Sequence, residues 1–257
     1  MQSETKMPAG TALVTGAAKG IGRRIAERLA SAGHPVILHS SRQSRVEAEH
    51  VAEGIRAQGG KVQLLFADFS KSGEVETLIG KAGAGFGPLQ LLVNNAAIFE
   101  ADEALDFDLY GLDRHFAINL KAPLILSRDF ARQVPLGHEA AIVNVLDQRV
   151  FRLTPQFFTY SLSKAALWAA TQTMAQAYAA RGIRVNAIGP GPVSPNERQG
   201  ERGFAREVQG LPLARAVTAD EVADAVFYLA KARNVTGQMI AVDAGQHLAW
   251  QTPDIVL

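Results

Sequence analysis

The chain has 257 residues, of which 47% are hydrophobic and 20% charged, a balance typical of a globular protein. Its formal net charge of +1 gives no global attraction to nucleic acid or to an anionic membrane, and no apolar run is long enough to span a bilayer. Because cysteine is absent and the six histidines are scattered, neither disulfides nor a metal site is expected. A chain without cysteine fits a reducing compartment, and we expect a cytoplasmic protein.

The chain is expected to form one domain preceded by a short tail. The tail, residues 1–10 (MQSETKMPAG), is polar and lacks the apolar segment of a signal peptide. Residues 11–257 contain no repeat, no low-complexity tract and no linker, so we assign all of them to the domain. Within the domain, the segments around residues 98–109 and 194–211 show no clear pattern and are expected to be substrate loops.

Short apolar runs alternate along the chain with longer segments of helical periodicity. The runs are continuously apolar, which is typical of strands buried on both faces. This strand–helix alternation predicts a doubly wound α/β domain, with a parallel sheet of about seven strands in a Rossmann fold. The strands are predicted at residues 12–14, 36–38, 62–66, 89–93, 140–146, 183–188 and 238–242.

Local signals place three of the helices. Apolar residues at positions 21, 25, 26 and 29 have the spacing of a helix that ends before Gly33. A further helical pattern includes Val75, Leu78 and Ile79. The sequence Thr218-Ala-Asp-Glu221 is a capping box and predicts the start of another helix.

A glycine-rich turn follows the first predicted strand. It reads Thr15-Gly-Ala-Ala-Lys-Gly-Ile-Gly22 and leads directly into a helix. Gly16, Gly20 and Gly22 permit a tight turn and close approach of a pyrophosphate to the backbone, and the helix N-terminus adds unpaired N–H groups. Lys19 adds positive charge. A plain tight turn is the alternative, but the position between strand and helix favours a dinucleotide-binding site.

The end of the second strand indicates which dinucleotide binds. NAD sites usually carry an acidic residue there for the ribose 2′-hydroxyl. Here residues 38–44 read LHSSRQS, and the first acidic residue after them is Glu47. The hydroxyl groups of Ser40 and Ser41 and the guanidinium of Arg42 suit a 2′-phosphate. We therefore expect NADPH, with a solvated polar turn as the alternative.

Three ionisable side chains stand at suggestive positions after the fifth predicted strand. Asp147 follows that strand directly, and Tyr160 and Lys164 come later, four residues apart. This spacing puts Tyr160 and Lys164 on one face of a helix. An ammonium group near a phenol favours phenolate, so Lys164 is expected to lower the pKa of Tyr160 and make it a proton donor near neutral pH. A surface helix pair without a catalytic role is the alternative.

Together these features resemble the short-chain dehydrogenase/reductase (SDR) family over nearly the whole chain, from residue 12 to residue 247. Besides TGAAKGIG and the YSLSK segment, further landmarks of the family occur in the family's order. They are Asp68, Asn94-Asn-Ala-Ala97 (NNAA), Asn119 in FAINLKAP, Arg184-Val-Asn186, Pro190-Gly191 and Val235-Thr-Gly-Gln238. The ordered set is far more specific than any single motif.

The resemblance implies an NADPH-dependent oxidoreductase in which Tyr160 donates a proton. Lys164 would hold the nicotinamide ribose, and Asn119 would shape its helix and hold a water relay to Lys164. The contacts expected for the cofactor are Gly16, Lys19, Gly20, Ile21, Gly22, His39, Ser40, Ser41, Arg42, Asp68, Phe69, Asn95, Ala96, Ala97, Tyr160, Lys164, Pro190, Gly191 and Val193.

Asp147 departs from the usual pattern, since most members of the family carry serine at this place. The pteridine reductases and the bacterial dihydromonapterin reductases keep an aspartate, and this chain also resembles them in LHSSR, in Phe99 after NNAA and in the closing VDAGQHL. The resemblance implies reduction of a C=N bond in dihydromonapterin, dihydrobiopterin or dihydrofolate. Asp147 and Tyr160 would contact this substrate, and Phe99 would stack on its ring. A carboxylate can accept from pterin N–H groups or share a proton with Tyr160.

Other interpretations stay open. Asp147 can be a capping residue in a reductase of a ketone, acyl thioester or sugar, and Phe99 can be a core residue. A non-catalytic NADPH-binding sensor is a third class, against which the intact Tyr160 and Lys164 argue. The resemblance also implies a homotetramer, in which the helix of Tyr160 packs against a partner. The small or apolar residues Ala165, Ala166, Leu167, Ala169 and Ala170 would permit this close approach, with an internal face packed on the sheet as the alternative.

Overall fold

The computed structural model of the chain describes residues 10–195 and 199–249. In this part of the chain, seven strands form one parallel sheet in the order β3-β2-β1-β4-β5-β6-β7. The strands are β1 (Thr11–Val14), β2 (Val36–Ser40), β3 (Val62–Phe66), β4 (Leu89–Asn94), β5 (Ala140–Val145), β6 (Ile183–Pro190) and β7 (Met239–Val242). The predicted α/β sheet of about seven strands is confirmed. The tail predicted at residues 1–10 lies almost wholly outside the described residues.

Helices connect successive strands and cover both faces of the sheet. They are α1 (Gly20–Ser31), α2 (Arg45–Ala57), α3 (Ser72–Glu76), α4 (Leu78–Phe86), α5 (Leu109–Phe116), α6 (Ala122–Gln133), α7 (Phe158–Tyr178), α8 (Gly200–Gln209) and α9 (Ala219–Lys231). A π-helical segment, Ala117–Lys121, joins α5 to α6. Within the two described ranges, every helix is too short or too polar to cross a bilayer.

The sheet is buried on both faces, as the continuously apolar strands predict. Successive side chains of a strand point to opposite faces, and in β1 Ala12 and Val14 belong to one apolar core while Leu13 belongs to the other. The first core is closed by α1, α2 and α9, and the second by α4, α6 and α7. Because both faces are covered, ligands can reach the sheet only at its edges and at the ends of its strands.

The order of the strands creates a crevice between β1 and β4. From β1 the chain proceeds outward through β2 and β3, and it then returns to place β4 on the other side of β1. The loops after β1 and β4 therefore leave the sheet in opposite directions. In open α/β sheets this point, at the carboxyl ends of the strands, is where ligands bind.

The structure differs from the sequence expectations in three details. The helical pattern that includes Val75, Leu78 and Ile79 divides into two helices, α3 and α4. The segment expected to be a loop at 194–211 contains α8, where Phe204 and Val208 stand four residues apart on a half-buried face. Leu167, expected at an interface with a partner, is buried in the chain's own core against Leu146 and Ala187. Ala165, Ala166, Ala169 and Ala170 are all partly or fully accessible on α7.

The predicted capping box begins α9 and can be tested directly. Thr218 Oγ1 accepts a hydrogen bond from the Glu221 amide at 3.1 Å, and the Glu221 carboxylate accepts one from the Thr218 amide at 2.8 Å. We expect Thr218→Ala to lower the free energy of unfolding by about 1 kcal/mol in urea denaturation, because an amide of the first turn loses its partner. Thr218→Ser keeps the hydroxyl and is the control. Equal losses in both variants would contradict a capping role.

Candidate active site

A cavity of about 330 Å³ opens at the carboxyl ends of β4, β5 and β6. Its volume is that of a small-molecule site. Ten of the residues predicted from the sequence line it together: Ile21, Asn95, Ala97, Phe99, Asp147, Tyr160, Lys164, Pro190, Gly191 and Val193. The wall also includes residues that the sequence did not single out, among them Arg149, Gln199, Glu207 and Gln246.

The glycine-rich turn packs closely against the residues at the end of β4. A Cβ atom at Gly16, whose φ is +64°, would lie 2.8 Å from Ala96 Cα, and one at Gly22 would lie 2.3 Å from Gly16 O. The Thr15 hydroxyl accepts from the amides of Asn95 and Ala96 at 2.9 and 3.0 Å, and Asn95 Nδ2 donates to Thr15 O at 2.8 Å. Glycine is therefore required at positions 16 and 22 by close backbone approach.

The start of α1 has the features of a pyrophosphate site. Lys19, the N-cap residue, makes no side-chain capping bond, and the first turn of this helix contains no acidic residue. Gly20 has a φ of +55° and no atom of the described residues within 4 Å of a Cβ built on it, so the space in front of the helix is open. The free N–H groups and the helix dipole favour an anion there. The residues present fit a dinucleotide.

Buried side chains at the ends of β2 and β3 pack beside the glycine-rich turn, namely His39, Ser40 and Phe69. His39 is 2% exposed, and its burial lowers the pKa to about 4, so the ring is neutral at pH 7. Its Nδ1 accepts from the Gly16 amide at 3.3 Å; the proton is therefore on Nε2, which donates to Ala67 O at 3.2 Å. Phe69 stacks on His39 at 4.3 Å between ring centroids. The buried Ser40 hydroxyl donates to Ser41 O at 2.8 Å. The hydrogen bonds of His39 and Ser40 thus go to backbone atoms of Gly16, Ala67 and Ser41.

Exposed charges surround the expected position of the 2′-phosphate. Arg42 is 58% exposed and donates to Glu74 at 2.7 Å. The same Glu74 oxygen accepts from the Asp68 amide at 3.0 Å, and the Arg42 guanidinium holds the pKa of the Glu74 carboxyl below its usual value. Glu74 was missed from the sequence, because nothing in the pattern of α3 indicates that it reaches Arg42. It holds the guanidinium beside the end of β2.

Two of the three ionisable residues that follow β5, Asp147 and Tyr160, are joined by a hydrogen bond. Tyr160, on α7, is 6% exposed, and its hydroxyl donates to Asp147 Oδ2 at 2.9 Å. The other oxygen of Asp147, Oδ1, accepts from the Arg149 amide at 2.8 Å and caps the short 3-10 turn after β5. The two interpretations of Asp147 are therefore compatible, because one carboxylate oxygen caps the turn while the other contacts the phenol.

The pKa of Tyr160 does not move in the expected direction. Burial, followed by the nearby Asp147 carboxylate, raises the pKa of Tyr160 well above its ordinary value. Lys164 does not offset these effects, because its Nζ donates to Val145 O at 2.8 Å and lies 5.7 Å from the centre of the Tyr160 ring. Burial lowers the pKa of Lys164 to about 8 and raises that of Asp147. The phenol thus remains protonated at neutral pH.

Asn119 connects the first substrate loop to α7. It lies in the π-helical segment, where its amide oxygen accepts from Ile98 N at 2.9 Å and its Nδ2 donates to Ile98 O at 3.0 Å. The same Nδ2 also donates to Ser163 Oγ at 3.2 Å. Asn119 thus lies in an irregular helix, and its roles in shaping that helix and in holding a water relay to Lys164 stay predictions.

Asp102 ties the same loop to the start of α7. Its carboxylate accepts from the Thr159 amide at 3.1 Å, and its carbonyl accepts from the Phe157 amide at 2.9 Å. Phe157, just before α7, has a φ of +57°. A bulky side chain rarely adopts this left-handed conformation, and such strain is typical of functional sites.

Two phenylalanines and an arginine form an aromatic wall, Phe99–Phe157–Arg149. Phe99 is 41% exposed, stacks on Phe157 at 4.1 Å between ring centroids, and lies edge-to-face with Tyr160 at 4.7 Å. Arg149 lies over both rings, 5.9 Å from the centre of Phe99 and 5.0 Å from that of Phe157. Phe99 therefore lines the cavity and is not a core residue. Neither Phe157 nor Arg149 was predicted.

Comparisons with known proteins agree with this geometry. The family model described as enoyl-(acyl carrier protein) reductase matches residues 16–247. The crystal structure of FolM alternative dihydrofolate reductase 1 from Brucella canis complexed with NADP is 48% identical, covers 96% of this chain and 97% of that chain, and superposes with a TM-score of 0.91. A short-chain dehydrogenase/reductase from Serratia marcescens is 31% identical, covers 93% of this chain and 98% of that chain, and has a TM-score of 0.86.

A curated relative has a different named substrate. The 3-oxoacyl-[acyl-carrier-protein] reductase FabG of Staphylococcus epidermidis is 31% identical over 242 residues, which are 93% of this chain and 99% of that protein. The match of the family model spans most of the chain, and the relatives are covered almost from end to end. The chain therefore belongs to the short-chain dehydrogenase/reductase family.

Proposed function

We propose that this protein is an NADPH-dependent reductase of a pterin-like substrate, such as dihydromonapterin, dihydrobiopterin or dihydrofolate. The observation that carries the proposal is the hydrogen bond between Tyr160 Oη and Asp147 Oδ2, 2.9 Å long, inside the cavity. A carbonyl reductase needs only a hydroxyl beside the tyrosine, whereas a carboxylate suits a substrate with N–H groups. The similarity to FolM, an alternative dihydrofolate reductase, supports the same choice.

The proposed cofactor site runs from the glycine-rich turn to the cavity. The backbone of Gly20 to Gly22 and the start of α1 would hold the pyrophosphate, and Ser41, Arg42 and Lys19 the 2′-phosphate. Lys164, Asn95, Pro190 and Val193 would surround the nicotinamide ribose and ring. When bound, NADPH supplies the hydride. The proposal is supported by the NADP complex of the Brucella canis relative.

Asp147 and Tyr160 form the proposed proton-delivery unit. The pKa of each group is raised by burial, so the pair retains a transferable proton at neutral pH. Because the two groups share one hydrogen bond, they titrate as a pair. The substrate carbon receives the hydride, and the nitrogen of the same C=N bond receives the proton held by this pair. Lys164 contributes positive charge when it is protonated, below about pH 8.

The aromatic wall gives the substrate ring a surface to lie against. Phe99 is backed by Phe157 on one side, which fixes its orientation. A flat heteroaromatic ring stacks favourably on such a ring. Across the cavity, the carboxylate of Glu207 accepts from Gln246 Nε2 at 2.8 Å. The cavity thus presents an apolar face and further carboxylate oxygens, which suit a ring that is rich in nitrogen donors.

The alternative reductase of a ketone or acyl thioester is favoured by one observation, the similarity to the FabG relative. NADPH oxidation over a panel of dihydropterins, dihydrofolate, ketones and acyl thioesters separates the two functions. Turnover of any member of the panel would eliminate the sensor. We also propose that the protein acts in the cytoplasm as a homotetramer, in which α7 packs through its accessible alanines.

The cofactor choice is tested with Arg42→Ala. Loss of a charge-assisted hydrogen bond to the 2′-phosphate should reduce the preference for NADPH over NADH by about tenfold or more. The measurement is the ratio of the two dissociation constants, from fluorescence titration. Arg56→Ala removes the same charge near the other end of α2 and is the control. An unchanged ratio in Arg42→Ala would show that this turn does not select the cofactor.

The proton-delivery unit is tested with Tyr160→Phe and Asp147→Ser. Tyr160→Phe should lower kcat by about 10²–10⁴ for every substrate, because a general acid is lost. Asp147→Ser installs the hydroxyl usual in the family and should sharply lower dihydropterin turnover while NADPH affinity stays nearly constant. Asp147→Asn keeps the size and the capping oxygen, so it separates the charge from the fold. Equal dihydropterin turnover in wild type and Asp147→Ser would contradict the proposed role of Asp147 in the recognition and reduction of a pterin.

The proposed assembly is tested by replacing a small accessible residue of α7. Light scattering of the wild type should give four times the monomer mass. Ala169→Arg places a long charged side chain on the exposed face of α7 and should reduce this mass. Thr173→Arg changes another exposed position one turn further along the same helix and serves as the comparison. A wild type that stays monomeric at micromolar concentration contradicts the tetramer.

A further inference from the structure

We propose that Arg149 is a positioning residue that controls the charge of the Asp147–Tyr160 pair. Its guanidinium Nε lies 3.9 Å from Asp147 Oδ1, beyond hydrogen-bond distance but within the range of an ion pair. Its backbone amide holds the same oxygen at 2.8 Å. One residue thus contacts the carboxylate through both its backbone and its side chain. The inference deepens the proposed function, on which it rests.

The guanidinium is fixed by three further contacts. Its Nη1 donates to Thr154 Oγ1 at 2.7 Å, and its Cζ lies 5.0 Å from the ring centre of Phe157 and 5.9 Å from that of Phe99, within the range of cation–π interactions. Only 18% of the side chain is exposed. A long flexible side chain rarely keeps one position without such contacts, because ordering it costs conformational entropy. Here the position is defined before the substrate arrives.

The charge acts in a cavity where burial opposes the ionisation of Asp147. The Asp147 side chain is 17% exposed, and burial raises its pKa, while the Arg149 amide and guanidinium act in the opposite direction. Arg149 also lowers the pKa of the buried Tyr160, which the Asp147 charge raises. Without the guanidinium, the pair would hold its proton more tightly.

Other charged groups face the pair but do not duplicate Arg149. Lys164 on α7 donates to Val145 O, and its charge also lowers the pKa of Asp147, as a smaller effect than that of Arg149. The ring centre of His115 on α5 lies 6.2 Å from that of Tyr160, and Glu207 on α8 lines the same cavity. Arg149 is the cation beside the oxygen of Asp147 that Tyr160 does not contact.

The direct test measures the ionisation of Asp147 without any substrate. The ¹³C chemical shift of its carboxyl carbon, assigned by its loss in Asp147→Asn, is followed against pH in the wild type and in Arg149→Met. The titration midpoint should rise by about one pH unit or more in Arg149→Met, since a neighbouring opposite charge lowers the pKa of a carboxyl by that amount. Arg149→Lys keeps the charge without the planar contacts and should give a smaller rise. If Arg149→Met does not fold, the comparison of wild type with Arg149→Lys still tests the inference.

The matched control is Arg114→Met, which removes a cation on α5 that does not line the cavity. Arg114 pairs with Glu100 at 2.8 Å and should leave the Asp147 midpoint unchanged. In the pH profile of kcat/KM, the apparent pKa of the limb that reports the Asp147–Tyr160 pair should move to higher pH only in the Arg149 variants. The Arg149 variants could instead lose rate at all pH values while the apparent pKa of this limb and the Asp147 titration midpoint stay unchanged. That result would mean that Arg149 is merely structural, and it would overturn the inference. Because the midpoint needs no substrate, this result is independent of whether a dihydropterin is the substrate.

Discussion

Burial of the sheet on both faces governs where polar groups can be placed in this protein. Inside the sheet such groups bond one another: Asn94 Nδ2 donates to Asn144 Oδ1 at 2.8 Å, and Asn144 Nδ2 donates to Thr171 Oγ1 at 2.8 Å. Other polar side chains collect where β1, β4, β5 and β6 end. The cofactor turn, the Asp147 carboxylate and the NNAA segment are all consequences of this constraint, because each begins at the residue where a buried strand stops.

The site is held mainly by contacts to backbone. Asn119 bonds both polar groups of Ile98, Asp102 caps the start of α7, and Asp147 caps the turn that carries Arg149. These bonds leave the side chains of Tyr160 and Phe99 free to face the cavity. A site built in this way requires little rearrangement on binding, which lowers the entropic cost of ordering the substrate.

The sequence predicted those parts of the fold and site that depend on local pattern. Continuous apolar runs located the seven strands of the described residues, the glycine spacing located the turn, and the resemblance to the family indicated that Asp147 lies near Tyr160. The contacts of Arg149 and Phe157 could not be predicted, because they depend on how two loops lie across the start of α7. The predicted direction of the shift in the Tyr160 pKa was wrong for a related reason. Sequence spacing gives which charges are near, whereas burial depends on the surrounding packing. Leu167 was likewise assigned to an interface, although its position on α7 points it toward the sheet.

His39 gives the nucleotide-binding turn a built-in sensitivity to acid. Its folded pKa of about 4 lies below the ordinary value of 6.5, so between these values the unfolded chain binds a proton that the folded chain excludes. The contribution of His39 to the free energy of unfolding is therefore complete above pH 6.5. It decreases as the pH falls toward 4, by roughly 3 kcal/mol in total. A protonated Nδ1 can no longer accept from the Gly16 amide. Acidification toward pH 4 would thus remove one contact that holds the glycine-rich turn against the end of β2.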